Sequence, residues 1–165
     1  MTPAVVRLDS LGLVHRVLEY HHDPANRSFG LEAAEQLGLD PDRVFKTLIV
    51  VVEAPADPRL AAACAIVPVS MHLSLKALAA ELSVKRVAMC PAEEAERLTG
   101  FLVGGISPIG QRRALLTVID ETALLFDEIF VSGGRRGLDL GLSPADLAAA
   151  TGGRFADIAV ARSPG

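Results

Sequence analysis

Val44-Phe45-Lys46-Thr47-Leu48-Ile49-Val50-Val51-Val52 decides how the chain is read. Six of these nine residues are β-branched, and side chains stiff at χ1 favour extended backbone over helix. Ala54-Pro55-Ala56-Asp57-Pro58 breaks the run, and Leu60 to Val69 supplies its hairpin partner. Both segments are apolar on each face, as central strands covered on two sides are.

Working outward, Pro3 to Gly12 predicts an opening helix and Leu13 to Tyr20 a strand, broken at His21-His22-Asp23-Pro24. Ser28 caps a helix to Leu37 that ends at Gly38. Leu73 to Leu82 reads as an amphipathic helix with Leu75, Leu78, Ala79 and Leu82 inward. A short strand from Val84 to Met89 and a helix from Pro91 to Leu98 follow. Gly100 to Gly110 then spends four glycines and a proline before the strand Ala114 to Ile119. Its amides can form an anion-binding concavity, or it is an ordinary loop. Glu121 to Phe126 is a helical turn, and Glu128 to Val131 and Gly137 to Leu142 are strands. Ser143-Pro144-Ala145-Asp146 starts a last helix, with cap, proline and acid in register, and residues 155 to 159 add a strand. One α+β domain with a mixed sheet, spanning 1–165, is expected.

The chain has 165 residues, half of them apolar, and a mean hydropathy of +0.37, enough for one sizeable core. No apolar run nears the roughly 18 residues of a membrane span, and no basic, then apolar, leader is visible at the N-terminus. Cys64 and Cys90 share no metal or redox spacing, and Cys64 reads as a buried small hydrophobe in a reducing cytoplasm. A net charge of −4 disfavours DNA binding through a basic surface. An RNA partner held by a few local cations fits the composition.

Lys46 is the first chemical candidate, because its neighbours are almost all apolar. Such a lysine either snorkels its amine to water or points it into a cleft as a donor for phosphate or carbonyl oxygen. The four histidines form no HExxH and no nucleophile elbow, and His22 reads as a turn residue. Ser132-Gly133-Gly134-Arg135-Arg136-Gly137 has a phosphate-loop composition but lacks the P-loop ending. Asp139 follows as a buried carboxylate or a solvent-facing strand residue. No cofactor or metal is expected.

Taken together, Val44 to Leu48, Val67-Pro68-Val69-Ser70, Gly104 to Gln111 and Ser132 to Asp139 resemble the YbaK family, free-standing editing proteins similar to the insertion domain of bacterial prolyl-tRNA synthetase. Tyr20 to Pro24, Phe29-Gly30 and Phe155 to Ala159 extend the resemblance over almost the whole chain. It implies a mixed sheet curled into a barrel-like core with surrounding helices. It implies a trans-acting deacylase for Cys-tRNA(Pro), which uses the substrate's own thiol and releases a cyclic thiolactone. It also implies a catalytic Lys46, with the 3′ CCA end bound by Tyr20, Phe29, Thr47, Gly104, Gly105, Ile106, Ser132, Gly133, Gly134 and Asp139, and a transient complex with prolyl-tRNA synthetase. Deacylation of another small amino acid such as alanine, or a non-catalytic tRNA or synthetase-binding role, are the alternatives. Cys90 and Phe101 depart from the family pattern, which commonly has an acid and a tyrosine there.

Overall fold

The computed structural model describes residues 1–162, so the last three residues of the expected 1–165 domain lie outside the described residues. The fold is α+β with mixed sheets. The opening stretch forms β2 (Phe45–Val52), antiparallel to β3 (Ala62–Pro68) on one side and to β5 (Val87–Met89) on the other. β6 (Leu116–Asp120) runs parallel to β3, and β9 (Arg154–Ala156) runs parallel to β6. Every residue of β3 is buried. One face packs on a cluster with Phe45, Ile66 and Ile119, the other on a cluster with Val50, Val67 and Leu78.

A second, antiparallel sheet has the order β1 (Arg16–Glu19), β8 (Leu138–Leu142), β7 (Ile129–Ser132). It meets the first sheet at one parallel bridge between Val44 and Phe130. There the Phe130 N–H donates to the Arg43 carbonyl at 2.9 Å. The Arg43 guanidinium donates to the Glu128 carbonyl at 2.8 and 3.1 Å and lies over the Phe126 and Phe130 rings. A two-stranded pair joins β4 (Met71–Leu73) to β10 (Ala159–Ala161). Among the described residues the strands make these three sheets and no closed ring.

The helices are α1 (Pro3–Leu11), α2 (Phe29–Leu37), α3 (Leu75–Glu81), α4 (Ala92–Thr99) and α5 (Pro144–Thr151). Among the described residues no helix is long and apolar enough to cross a membrane. At α5 the expected signals are all in use: the Ser143 hydroxyl accepts from the Asp146 N–H, and Gly152 ends the helix with φ +68°. Ser28 sits at the cap position of α2 but its side chain makes no cap bond.

Several boundaries differ from the sequence reading. The strand over Leu13 to Tyr20 shortens to β1 because the Leu13 N–H turns back to the Leu8 carbonyl to close α1. The strand over Val84 to Met89 starts only at Val87, since Ser83 takes φ +55° and the Val84 N–H closes α3 on Ala79. The helix over Leu73 to Leu82 begins after Ser74, whose hydroxyl accepts from Ala77, and residues 71–73 become β4. Leu75, expected inward, is among the exposed apolar residues. The single strand over 155–159 is two strands in different sheets.

That last switch has an identifiable cause. Asp120, only 1% exposed, accepts from the Ile158 and Ala159 N–H groups at 3.0 and 2.9 Å with one oxygen, and from Thr122 with the other. The chain is pulled off β6 and delivered to β4. Asp120→Ala leaves two buried amides without acceptors, each costing about 1–3 kcal/mol. Chemical denaturation followed by circular dichroism is expected to show a loss of about 3 kcal/mol or more. Asp120→Asn, which keeps one accepting oxygen, is expected to lose about half as much.

Candidate active site

Beyond the Val44–Phe130 bridge the two sheets are no longer paired, and a cavity of about 460 Å³ opens between them. Lys46 stands two residues past Val44, and Ser132 two past Phe130, so both strands feed the cavity. Lys46 is half-buried, and its amine lies in no ion pair among the described residues. Burial holds its pKa below the usual lysine range, and the Arg162 cation adds to the effect. Of the two sequence readings, the cleft is where this residue stands.

Thr47 also lines the cavity, and its Oγ1 is buried with no hydrogen-bond partner. A hydroxyl in that position offers one donor and two lone pairs to whatever enters. Asp139 lies on β8 directly across from Ser132 and from Leu18. It is 4% exposed, and burial pushes its carboxyl up to about 7. Tyr20, anchored by its N–H to the Gly137 carbonyl at 2.9 Å, has its phenol pushed up to about 12 by burial and by nearby Asp139. At neutral pH the phenol is therefore a donor.

Phe29, at the start of α2, forms a wall held by two loops. The Arg136 guanidinium lies 5.0 Å from the ring centroid, and its Nε donates to the Val103 carbonyl at 2.9 Å. Gly104 has φ +90°, and a Cβ there would come within 2.7 Å of the Phe29 ring. Ile106 completes that side. Gly105, Gly133 and Gly134 do not line the cavity. Gly105 lets its loop approach the Arg135 backbone, where a Cβ would sit at 2.7 Å, and Gly134 has φ +105° against the Phe101 ring. Gly133 lies against Leu138, and its carbonyl accepts from the Thr2 hydroxyl. These glycines join loops beside the cavity, and Phe101 belongs to the core behind them.

Lining residues that escaped the sequence reading include Arg27, Cys90 and Arg162. The His22–Glu32 pair behind Phe29 was also missed. Glu32 is buried and accepts from the His22 ring at 2.6 Å and from the Asp23 N–H at 3.0 Å. Burial opposes its ionisation, yet these bonds hold its pKa below the usual range. The one available signal was an acid inside the small-residue run Gly30-Leu31-Glu32-Ala33-Ala34. Among the described residues no group of three His, Cys, Asp or Glu could hold a metal.

The fold and the cavity define an α+β domain with a cation-lined cleft between two sheets. Residues 24–150 match the aminoacyl-tRNA editing domain, and the chain belongs to that family. A protein of Enterococcus faecalis that carries the name of a Cys-tRNA(Pro)/Cys-tRNA(Cys) deacylase, EbsC, is 36% identical over 125 residues, 76% of this chain and 73% of the relative. The crystal structure of hypothetical protein APE2540 aligns with TM-score 0.82 at 28% identity, over 96% of this chain and 99% of that one. A crystal structure titled as a trans-editing enzyme for prolyl tRNA synthetase aligns with TM-score 0.80 at 27% identity, over 97% and 99%.

Because burial raises the Asp139 pKa, its carboxyl favours folding while protonated. That contribution is complete below the unfolded pKa near 4 and is lost as pH rises through about 7. Asp139→Asn is expected to be more stable than wild type at pH 8, by up to about 4 kcal/mol, with the difference vanishing near pH 4. Denaturation curves at several pH values measure it. Gly104→Ala is expected to weaken ligand binding by displacing Phe29, visible as a raised KM.

Proposed function

We propose that this chain is a trans-editing aminoacyl-tRNA deacylase acting on Cys-tRNA(Pro) in the cytoplasm, and that residues 1–165 form a single editing domain. The observation that carries the reading is the Lys46 amine, half-buried in the cavity and lying in no ion pair among the described residues, beside the unpartnered Thr47 hydroxyl. Membership of the editing family and the name of the Enterococcus faecalis relative support the substrate class. The barrel-like core is part of the same proposal, supported by the Val44–Phe130 bridge that ties the two larger sheets together.

The substrate brings its own nucleophile. Its sulfur bonds to the ester carbonyl carbon, the bond from that carbon to the 3′ oxygen breaks, and the thiol proton ends on the released 3′-hydroxyl. The product is a cyclic thiolactone, which water opens to free cysteine. The protein's share is placement, worth several kcal/mol in well-oriented intramolecular reactions, and donors aimed at the developing oxyanion. Lys46 is the catalytic donor in this reading. Thr47, Ser132 and Asp139 hold the aminoacyl adenosine, and Tyr20, Phe29, Gly104 and Ile106 shape the cavity around it. Gly105, Gly133 and Gly134 contribute by fixing the loops that carry these groups. A transient complex with prolyl-tRNA synthetase would supply tRNA(Pro) selection, a reading supported by the structural neighbour described as a trans-editing enzyme for that synthetase.

Lys46→Ala is expected to slow cysteine release from Cys-tRNA(Pro) by about 10²–10³-fold, the scale of losing one oxyanion donor. Turnover equal to wild type in a single-turnover assay would remove Lys46 from the mechanism. Ser-tRNA(Pro), with oxygen in place of sulfur, is expected to react far more slowly. Equal rates for the two substrates would rule out thiol attack, and faster release of alanine than cysteine would reassign the amino acid.

A further inference from the structure

Arg162 lies beyond residues 24–150 that match the family, yet it lines the same cavity as Lys46. It follows directly on β10, and Nη2 donates to the Val69 carbonyl at 2.8 Å. That bond uses one of the five guanidinium donors and fixes where the remaining ones stand. Arg27, at the approach to α2, is the third cation lining the cavity. Against these three the lining offers a single carboxyl, Asp139, which is buried on β8. Neither Arg27 nor Arg162 lies in an ion pair among the described residues.

This concentration runs against the composition, since the whole chain carries a net charge of −4. Arg27 and Arg162 are solvent-exposed and Lys46 half-buried, so water screens part of their repulsion, and an anion joining them offsets the cost that remains. The depressed Lys46 pKa, to which Arg162 contributes, is consistent with that cost. On a charged tRNA the amino acid's carboxyl is esterified and therefore neutral. The anion nearest the ester is the phosphodiester on the 5′ side of the terminal adenosine. A guanidinium matches phosphate oxygens in a planar fork.

We propose that Arg162 is a further substrate-binding residue that, with Arg27, holds a phosphodiester of the RNA strand entering the cavity. The inference rests on the deacylase reading for the source of the phosphate. It concerns strand binding, so it can fail or hold independently of turnover.

The test is a titration of the full-length protein with adenosine, a CCA trinucleotide and inorganic phosphate, over a range of KCl concentrations. Arg162→Ala is expected to weaken CCA binding by about tenfold, the equivalent of 1.4 kcal/mol, while adenosine binding is unchanged. The slope of log affinity against log salt for CCA is expected to fall by about 0.7, the value for one phosphate contact on a single strand. Arg162→Lys, which keeps the charge, is expected to restore most of both. An equal loss for adenosine and CCA, or an unchanged salt slope, overturns the proposal, because a merely structural Arg162 would act that way. Inorganic phosphate displacing CCA at equal concentration also overturns it, showing a free-anion site. Should wild type show the CCA pattern yet release no amino acid from any charged tRNA, the strand site stands and the deacylase reading falls.

Discussion

One backbone hydrogen bond, from the Phe130 N–H to the Arg43 carbonyl, sets where the two sheets touch and where they stop touching. It closes the single Val44–Phe130 bridge, and Arg43 secures it through the Glu128 carbonyl and two aromatic rings. Continued pairing would bring Lys46 and Ser132 together as ladder partners and leave no room between the strands. Pairing that never began would leave the sheets without a fixed separation. A joint one bridge long gives the cleft both a rigid hinge line and open lips. The groups on those lips therefore depend on the junction more than on each other.

The chemistry that this geometry permits is that of polar groups fixed in a poorly solvated space. Lys46 and Thr47 come from β2, Asp139 from β8 and Tyr20 from the residue after β1, each held by ladder or loop hydrogen bonds rather than by one another. Donors held this way need little reorganisation when charge develops, and it is their orientation before reaction that makes such donors effective. Burial shifts Asp139 and Lys46 in opposite senses, each toward its neutral form. The pocket thus moderates its own charges at these two positions.

The central sheet was readable because β2 and β3 are long, β-branched and covered on both faces, so their pattern owes little to context. Gly12 and Gly38 marked helix ends for the same local reason, a positive φ. The misread parts depend on partners distant in sequence. Met71-His72-Leu73 is extended only because residues 159–161 lie beside it, and no three-residue run announces that. Ser28 occupies a cap position without capping, which only the built loop reveals. Within the candidate site, Lys46 stood out as a charge among apolar neighbours and Gly104 as part of a dense glycine motif. Arg162 carried no local signal, since its significance arises from Asp120 steering the chain after β9 toward β4. Gly105, Gly133 and Gly134 were recognised as special, and in the structure each allows a close approach between loops.

The crossing of the chain at Asp157 and Ile158 has a consequence for how the molecule is made. β10 needs β4 and Arg162 reaches the Val69 carbonyl, so this wall of the cleft is drawn from residues synthesised more than 85 positions after those they meet. On a translating ribosome the earlier sheet can form while that wall is still inside the exit tunnel. The nascent domain would then be folded in large part but unable to grip an RNA end. Competence to grip the strand thus waits on β10 and Arg162, a delay written into strand order alone.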